Sequence, residues 1–72
     1  MVDNFEHELV VLGIRTKKFR VLKKLTQTEL AAKCDIDIRT IQRIEKGKNN
    51  FSIKILFAIC KTLEIEPSEI IK

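Results

Sequence analysis

Seventy-two residues make a single small domain, and a chain of this size buries only about 60% of the surface that its unfolded form exposes, which leaves little room for an elaborate enzyme cleft. The composition is 44% hydrophobic and 33% charged, with one proline, two glycines and neither tryptophan nor tyrosine, far from the disordered and low-complexity regimes. The net charge of +4 is unevenly spread: residues 1–14 sum to −3, residues 15–54 to +8 and residues 55–72 to −1. A basic middle segment suits a polyanion, whose condensed counterions lysine and arginine displace, as well as it suits a solvated lysine-rich face. The longest uninterrupted apolar run, Ile55 to Cys60, falls far short of the ~20 residues that span a bilayer. No basic-then-apolar leader opens the chain, so a cytoplasmic location is expected.

The first periodic stretch runs from about Phe5 to Leu25, where Leu9, Leu12, Thr16 and Phe19 recur at spacings of three and four, the stripe of an amphipathic helix. Lys23 and Lys24 place cations at the negative end of its dipole. Gly13 in its interior costs about 1 kcal/mol relative to alanine, which predicts a helix that begins near Gly13 or is irregular before it. Thr26 followed by Glu29 matches a capping box, so a second helix begins at Gln27. It buries Leu30, Ala31 and Cys34 and ends at Asp35, a residue type that enters the left-handed region at lower cost than most. Ile36 then turns inward, and Asp37 caps a third helix, Ile38 to Lys46, with Ile41 and Ile44 toward the core and Gly47 stopping it. Lys48, Asn49 and Asn50 form a loop. Ser52 caps a fourth helix whose Ile53, Leu56, Phe57, Ile59, Cys60 and Leu63 make it the most apolar element and place it at the centre. Pro67 suits the first position of a short closing helix, Pro67 to Ile71, with Glu69 in its first turn. No segment alternates with period two and none repeats, so the fold class is all-α.

Cys34 and Cys60 have no cysteine or histidine nearby at ligand spacing, and His7 stands apart in the acidic N-terminal segment. No metal or other cofactor is expected. Both thiols lie among apolar residues at helical spacing and read as small core residues in a reducing compartment. No nucleophile, acid/base or metal set converges, so an enzyme is not expected.

Two short helices separated by Asp35-Ile36-Asp37 have the tight helix-turn-helix connection, in which the second helix projects into a groove of DNA. Gln27-Thr28-Glu29-Leu30-Ala31, then Ile36-Asp37, then Thr40-Ile41-Gln42-Arg43-Ile44-Glu45-Lys46-Gly47-Lys48, with Arg20 at the matching distance upstream, resemble the phage-repressor and Cro-type helix-turn-helix domain from about Leu12 to Ile70. The resemblance implies a five-helix lambda-repressor-like domain that regulates transcription by binding double-stranded DNA, with the helix over about 38–46 in the major groove. Arg39 and Arg43, four apart on that helix, are the leading base readers, since arginine pairs bidentately with guanine. Gln42 suits adenine, Thr40 a base or phosphate, and Ile38 a thymine methyl. Gln27 and Thr26 at the start of the second helix, and Lys46, Lys48 and Asn50 after the reading helix, are assigned to the DNA backbone. Arg20 and Glu45 are expected to form a partly buried ion pair tying the first helix to the end of the third.

By analogy with the same family, a homodimer on a pseudo-palindromic operator is expected, with its interface on the last two helices at Ile65, Ile70 and Ile71. With no room for a ligand-sensing domain, regulation falls to concentration, proteolysis or a partner protein. A restriction-modification controller and the antitoxin of a toxin–antitoxin pair both fit, and the competing class is a protein-interaction adaptor that does not read DNA. The chain departs from the family pattern at Thr16, where a larger apolar residue is common, at Lys24 and Asp35, where glycine is common, and at Phe51, often proline. Val11, Ile14, Val21 and Leu22 are more apolar than an exposed helix face requires, as a partner surface or as scattered exposed residues would be.

Overall fold

In the computed structural model, which describes residues 5–48 and 52–71, five helices follow one another: α1 (Phe5–Leu22), α2 (Gln27–Cys34), α3 (Ile38–Glu45), α4 (Ile53–Leu63) and α5 (Pro67–Ile71). No strand occurs among the described residues. The starts are set by side chains that satisfy N–H groups lacking an intrahelical acceptor. At α2 the Thr26 hydroxyl accepts from the Glu29 N–H at 3.0 Å while the Glu29 carboxylate accepts from the Thr26 N–H at 2.8 Å, both halves of the capping box. Asp37 accepts from the Arg39 N–H at 2.8 Å and opens α3. Ser52 accepts from the Ile55 N–H at 3.2 Å and opens α4.

The helix ends share one device. Lys24, Asp35, Gly47 and Glu64 all take positive φ, between 58° and 74°. The residue after each donates its N–H back to the last turn: Leu25 to the Arg20 carbonyl, Ile36 to Ala31, Lys48 to Arg43 and Ile65 to Cys60, at 2.9–3.1 Å. This is the Schellman closure, which satisfies carbonyls that the helix leaves without donors. After α1, α2 and α4 the donating residue is apolar, and Leu25, Ile36 and Ile65 pack against the core. Because the reversal at Lys24 already ends α1, the helix stops at Leu22 and not at Leu25.

The core joins Leu30 and Ala31 of α2, Ile41 and Ile44 of α3, Leu56, Ile59, Cys60 and Leu63 of α4, and Ile70 of α5, with Leu12 and Phe19 of α1 packed against it. Thr16 is buried among them and donates its hydroxyl to the Leu12 carbonyl at 2.8 Å, so its one polar group costs little. Cys60 is buried and Cys34 half-buried. Burial pushes both thiols above their ordinary 9.0, helped at Cys60 by the charges of Glu66 and Glu69 and opposed at Cys34 by a contact with the Thr62 hydroxyl.

Two expectations are corrected. The first helix runs unbroken through Gly13, because glycine serves there for close approach: a Cβ would overlap the backbone carbonyl oxygen of Ile44 on α3. The stabilisation from bringing α1 against α3 outweighs the propensity cost of about 1 kcal/mol. On α4, Ile53 and Phe57 are exposed. They stand on the helix row that continues to Lys61 and Glu64, beside the buried row of Leu56, Ile59, Cys60 and Leu63. No helix among the described residues is long and apolar enough to cross a membrane.

Candidate nucleic-acid interface

Ile41 and Ile44 anchor one side of α3 in the core, and a helix held by residues three apart must turn its opposite side outward. That side carries Arg39, Gln42, Arg43 and, at the C-cap, Lys46, all exposed. The chain has four arginines, and their surroundings divide them. Arg15 donates to the Ile70 carbonyl at 3.2 Å and Arg20 is bound to Glu45. No hydrogen bond or ion pair from a described residue engages the guanidinium of Arg39 or Arg43. Four residues apart, about 6 Å along the axis, the two present planar donor forks on one surface, with the Gln42 amide between them.

A dense hydrogen-bonded cluster fixes how that surface sits. The Arg20 guanidinium donates to both oxygens of Glu45, through Nε to Oε2 at 2.6 Å and through NH2 to Oε1 at 3.0 Å. Its remaining nitrogen donates to the Leu25 carbonyl at 2.7 Å. The Gln27 amide adds a third bond to the same carboxylate, Nε2 to Oε1 at 3.0 Å. With side-chain exposures of 11% for Arg20 and 4% for Glu45, this is a largely dehydrated, bidentate pair. It ties the last turn of α1, the α1–α2 connection, the first residue of α2 and the last residue of α3. No metal-binding cluster of acidic, histidine or cysteine side chains occurs among the described residues.

The other residues singled out from the sequence fall in different settings. Thr26 and Gln27 lie at the N-terminus of α2, but the Thr26 oxygen is occupied in capping, and Gln27 spends one amide N–H on Glu45. Thr40 is half-buried at the edge of the outward face of α3, and Ile38 is half-buried and packed against the core. Lys48 is exposed just beyond Gly47, and Asn50 lies outside the described residues, as does Phe51. Of the three isoleucines expected at a partner surface, Ile70 is 0% exposed. It belongs to the core of its own chain and has no surface to offer, a correction that follows from its place between α1 and α4. Ile65 is half-buried and Ile71 exposed. The tie from Gln27 to Glu45 and the exposed Phe57 were missed from sequence. The signal for Phe57 was present, since a row ending in Lys61 and Glu64 is a solvent row.

Comparison with known proteins bears on the family and the fold. A family model described as helix-turn-helix matches residues 17–70. An uncharacterised helix-turn-helix-type transcriptional regulator of Methanocaldococcus jannaschii is 39% identical over 56 residues, covering 78% of this chain and 85% of that protein. Among solved structures, the restriction-modification controller protein C.AhdI of Aeromonas hydrophila superposes with a TM-score of 0.86 at 31% identity, over 89% of this chain and 97% of that one. The controller protein C.Esp1396I, solved as a tetramer with its natural 35-base-pair operator, superposes with a TM-score of 0.76 at 33% identity, over 97% of this chain and all of the other. By the match to the family model, by the likeness to its curated relative and by its fold, the chain belongs to the Cro/C1-type helix-turn-helix family of DNA-binding transcriptional regulators.

Proposed function

We propose that the chain reads a specific double-stranded DNA sequence by laying the outward face of α3 in the major groove, and that it does so as a homodimer on a pseudo-palindromic operator. The observation that carries this reading is the pair of exposed arginines on α3 that no described residue engages, while the other two are consumed by the fold. Arg39 and Arg43 pair with guanine, each such pair contributing roughly 1–3 kcal/mol of discrimination, and Gln42 pairs with adenine. Thr40, at the edge of the face, takes a base or a phosphate, and Ile38 contributes at most a methyl contact. Lys46 and Lys48 neutralise phosphates and add affinity without sequence information. Thr26 and Gln27 receive a phosphate at the N-terminus of α2, where the backbone N–H groups of Gln27 and Thr28 and the second amide hydrogen of Gln27 remain for it. Dimerisation uses α4 and α5, whose exposed apolar residues are Ile53, Phe57 and Ile71. A short reading helix covers only a few base pairs, and a two-fold pair doubles the site.

Selection of bound duplexes from a random double-stranded library at near-physiological salt, with the wild type beside Arg39→Ala and Arg43→Ala, tests the reading. The expected result is an enriched inverted repeat whose preference relaxes at defined positions in each variant. Absence of enrichment, or enrichment indifferent to both substitutions, leaves the fold serving nonspecific binding or a protein partner.

A further inference from the structure

Along the seam of α2 and α4, Lys54, Ala58 and Lys61 follow one another on a single row of α4, at spacings of four and three. A small residue between two long ones leaves a hollow on each side of it. The two hollows share Cys34 and Ala58 and so form one groove, open to solvent. Its floor is apolar, made by the half-buried Cys34, Ile36, Ile55 and Ala58. Its rim is cationic: Lys33 and Lys61 line one end and Lys54 the other, all exposed, with Asp35 as the one carboxylate in the lining. No described residue forms an ion pair with any of the three lysines, whereas Lys23 is paired with Glu64 at 2.6 Å. Charges of one sign beside a low-dielectric floor focus the field into the groove. None of Arg39, Gln42 and Arg43 lines it, and Ile53 and Phe57 stand on the next row of α4, outside it.

We propose that the groove between α2 and α4 docks an acidic, amphipathic segment of a partner protein, with apolar side chains on Ile36, Ile55 and Ala58 and carboxylates against Lys33, Lys54 and Lys61. An apolar floor inside a charged rim is the anatomy of a protein interface. A DNA backbone would answer the lysines but has no apolar group to cover the floor, whereas an amphipathic segment answers both at once. Another copy of this chain is poorly equipped for the role, because its carboxylates are largely spent. Glu29, Asp37 and Glu69 accept backbone N–H groups at helix starts, Glu45 holds Arg20, Glu64 holds Lys23, and Glu6 has an interaction of its own. Glu8, Asp35 and Glu66 remain, on three different parts of the fold. The groove is short, which places the contact among weak, transient interfaces, and its lysines mainly speed encounter and select the sign of the partner. Such a site gives a chain with no ligand-sensing domain a way to be regulated by another protein through residues other than those of the outward face of α3.

The test titrates the DNA-free full chain, followed by amide chemical shifts, with a synthetic peptide of about fourteen residues that has leucine on one helical face and glutamate on the other. Because DNA is absent, the result does not depend on whether DNA is read. Saturable binding below about 1 mM is expected, with the shifts centred on Lys33, Cys34, Ala58 and Thr62. The same peptide with lysine for glutamate, and the one with serine for leucine, are expected to bind far more weakly. Lys33→Glu with Lys61→Glu is expected to weaken the acidic peptide roughly tenfold or more, with the difference shrinking at high salt. Lys17→Glu with Lys18→Glu makes the same charge change on exposed residues of α1 and is expected to leave binding in place. Ala58→Gln covers the floor with a polar amide at unchanged charge and is expected to weaken binding at any salt. Melting curves of all variants are compared with the wild type, and the exposed lysine pairs keep the test open should Ala58→Gln unfold. No binding of the acidic peptide, shifts centred elsewhere, or equal loss in the two charge-reversed pairs would each overturn the inference. So would a rim reversal that weakens binding to random duplex DNA and leaves the peptide untouched, which would give these lysines to phosphates.

Discussion

Glu45 accepts from two side chains at once, the Arg20 guanidinium across both oxygens and the Gln27 amide at Oε1, so its removal is felt at three elements. In Glu45→Ala the Arg20 charge keeps only the Leu25 carbonyl and stays largely buried. Loss of one partner from such a pair costs about 3–5 kcal/mol. For a domain of this size that corresponds to a melting temperature lower by more than about 10 °C, with DNA affinity falling because α3 is no longer tied down. Calorimetry of the variant checks this, and a protein that melts with the wild type would mean that the pair contributes no net stability. The spacing of Arg20 and Glu45 was legible in the sequence through the family resemblance. Gln27 was not: as a residue at a helix start it was assigned to phosphate alone, and its tie to the end of α3 exists only once the two helices are folded together.

At the scale of the element, starts and stops were written in local chemistry. Thr26 with Glu29, Asp37 and Ser52 each cap the helix that the sequence predicts for them, because capping involves residues at most three apart. The stop at Lys24 was harder to read. Lysine gives no hint of the left-handed conformation, and only the family's preference for glycine there pointed to it. Its φ of 61° carries the Cβ penalty of about 1–2 kcal/mol that glycine escapes, partly offset by glycine's greater freedom in the unfolded chain. Lys24→Gly is therefore expected to raise stability by about 0.5–1 kcal/mol, visible as a shift of the urea midpoint with an unchanged slope. An unshifted or lowered midpoint would show that the Lys24 side chain offsets its own strain. Asp35 is expected to gain less, since aspartate tolerates this region better than lysine does.

Over the whole molecule the decisive contact is between α1 and the end of α3, where two glycines let backbones meet. A Cβ at Gly13 would strike the Ile44 carbonyl, and one at Gly47 would come within 2.8 Å of the Val10 Cα. Gly13→Ala sets two effects against each other: a gain in helix propensity of about 1 kcal/mol and an overpacking cost of about 1–3 kcal/mol against backbone that cannot rotate away. The second is expected to win, lowering the melting temperature and, by pushing α3 outward, weakening DNA binding. A melting temperature above the wild type's would show that α1 can shift without loss. The amino-acid sequence by itself determined the all-α class, the five helices, their caps and the turn between α2 and α3, because each rests on periodicity or on side chains a few residues apart. Only the tertiary structure decided which apolar residues are core and which are surface: Ile70 went inside, while Ile14, Phe57 and Ile71 stayed outside. It likewise decided why Gly13 is a glycine and which arginines the fold holds, Arg15 on the Ile70 carbonyl and Arg20 on Glu45. These are properties of how helices cross, and residues distant in sequence meet only when the burial of all five stripes is satisfied at once.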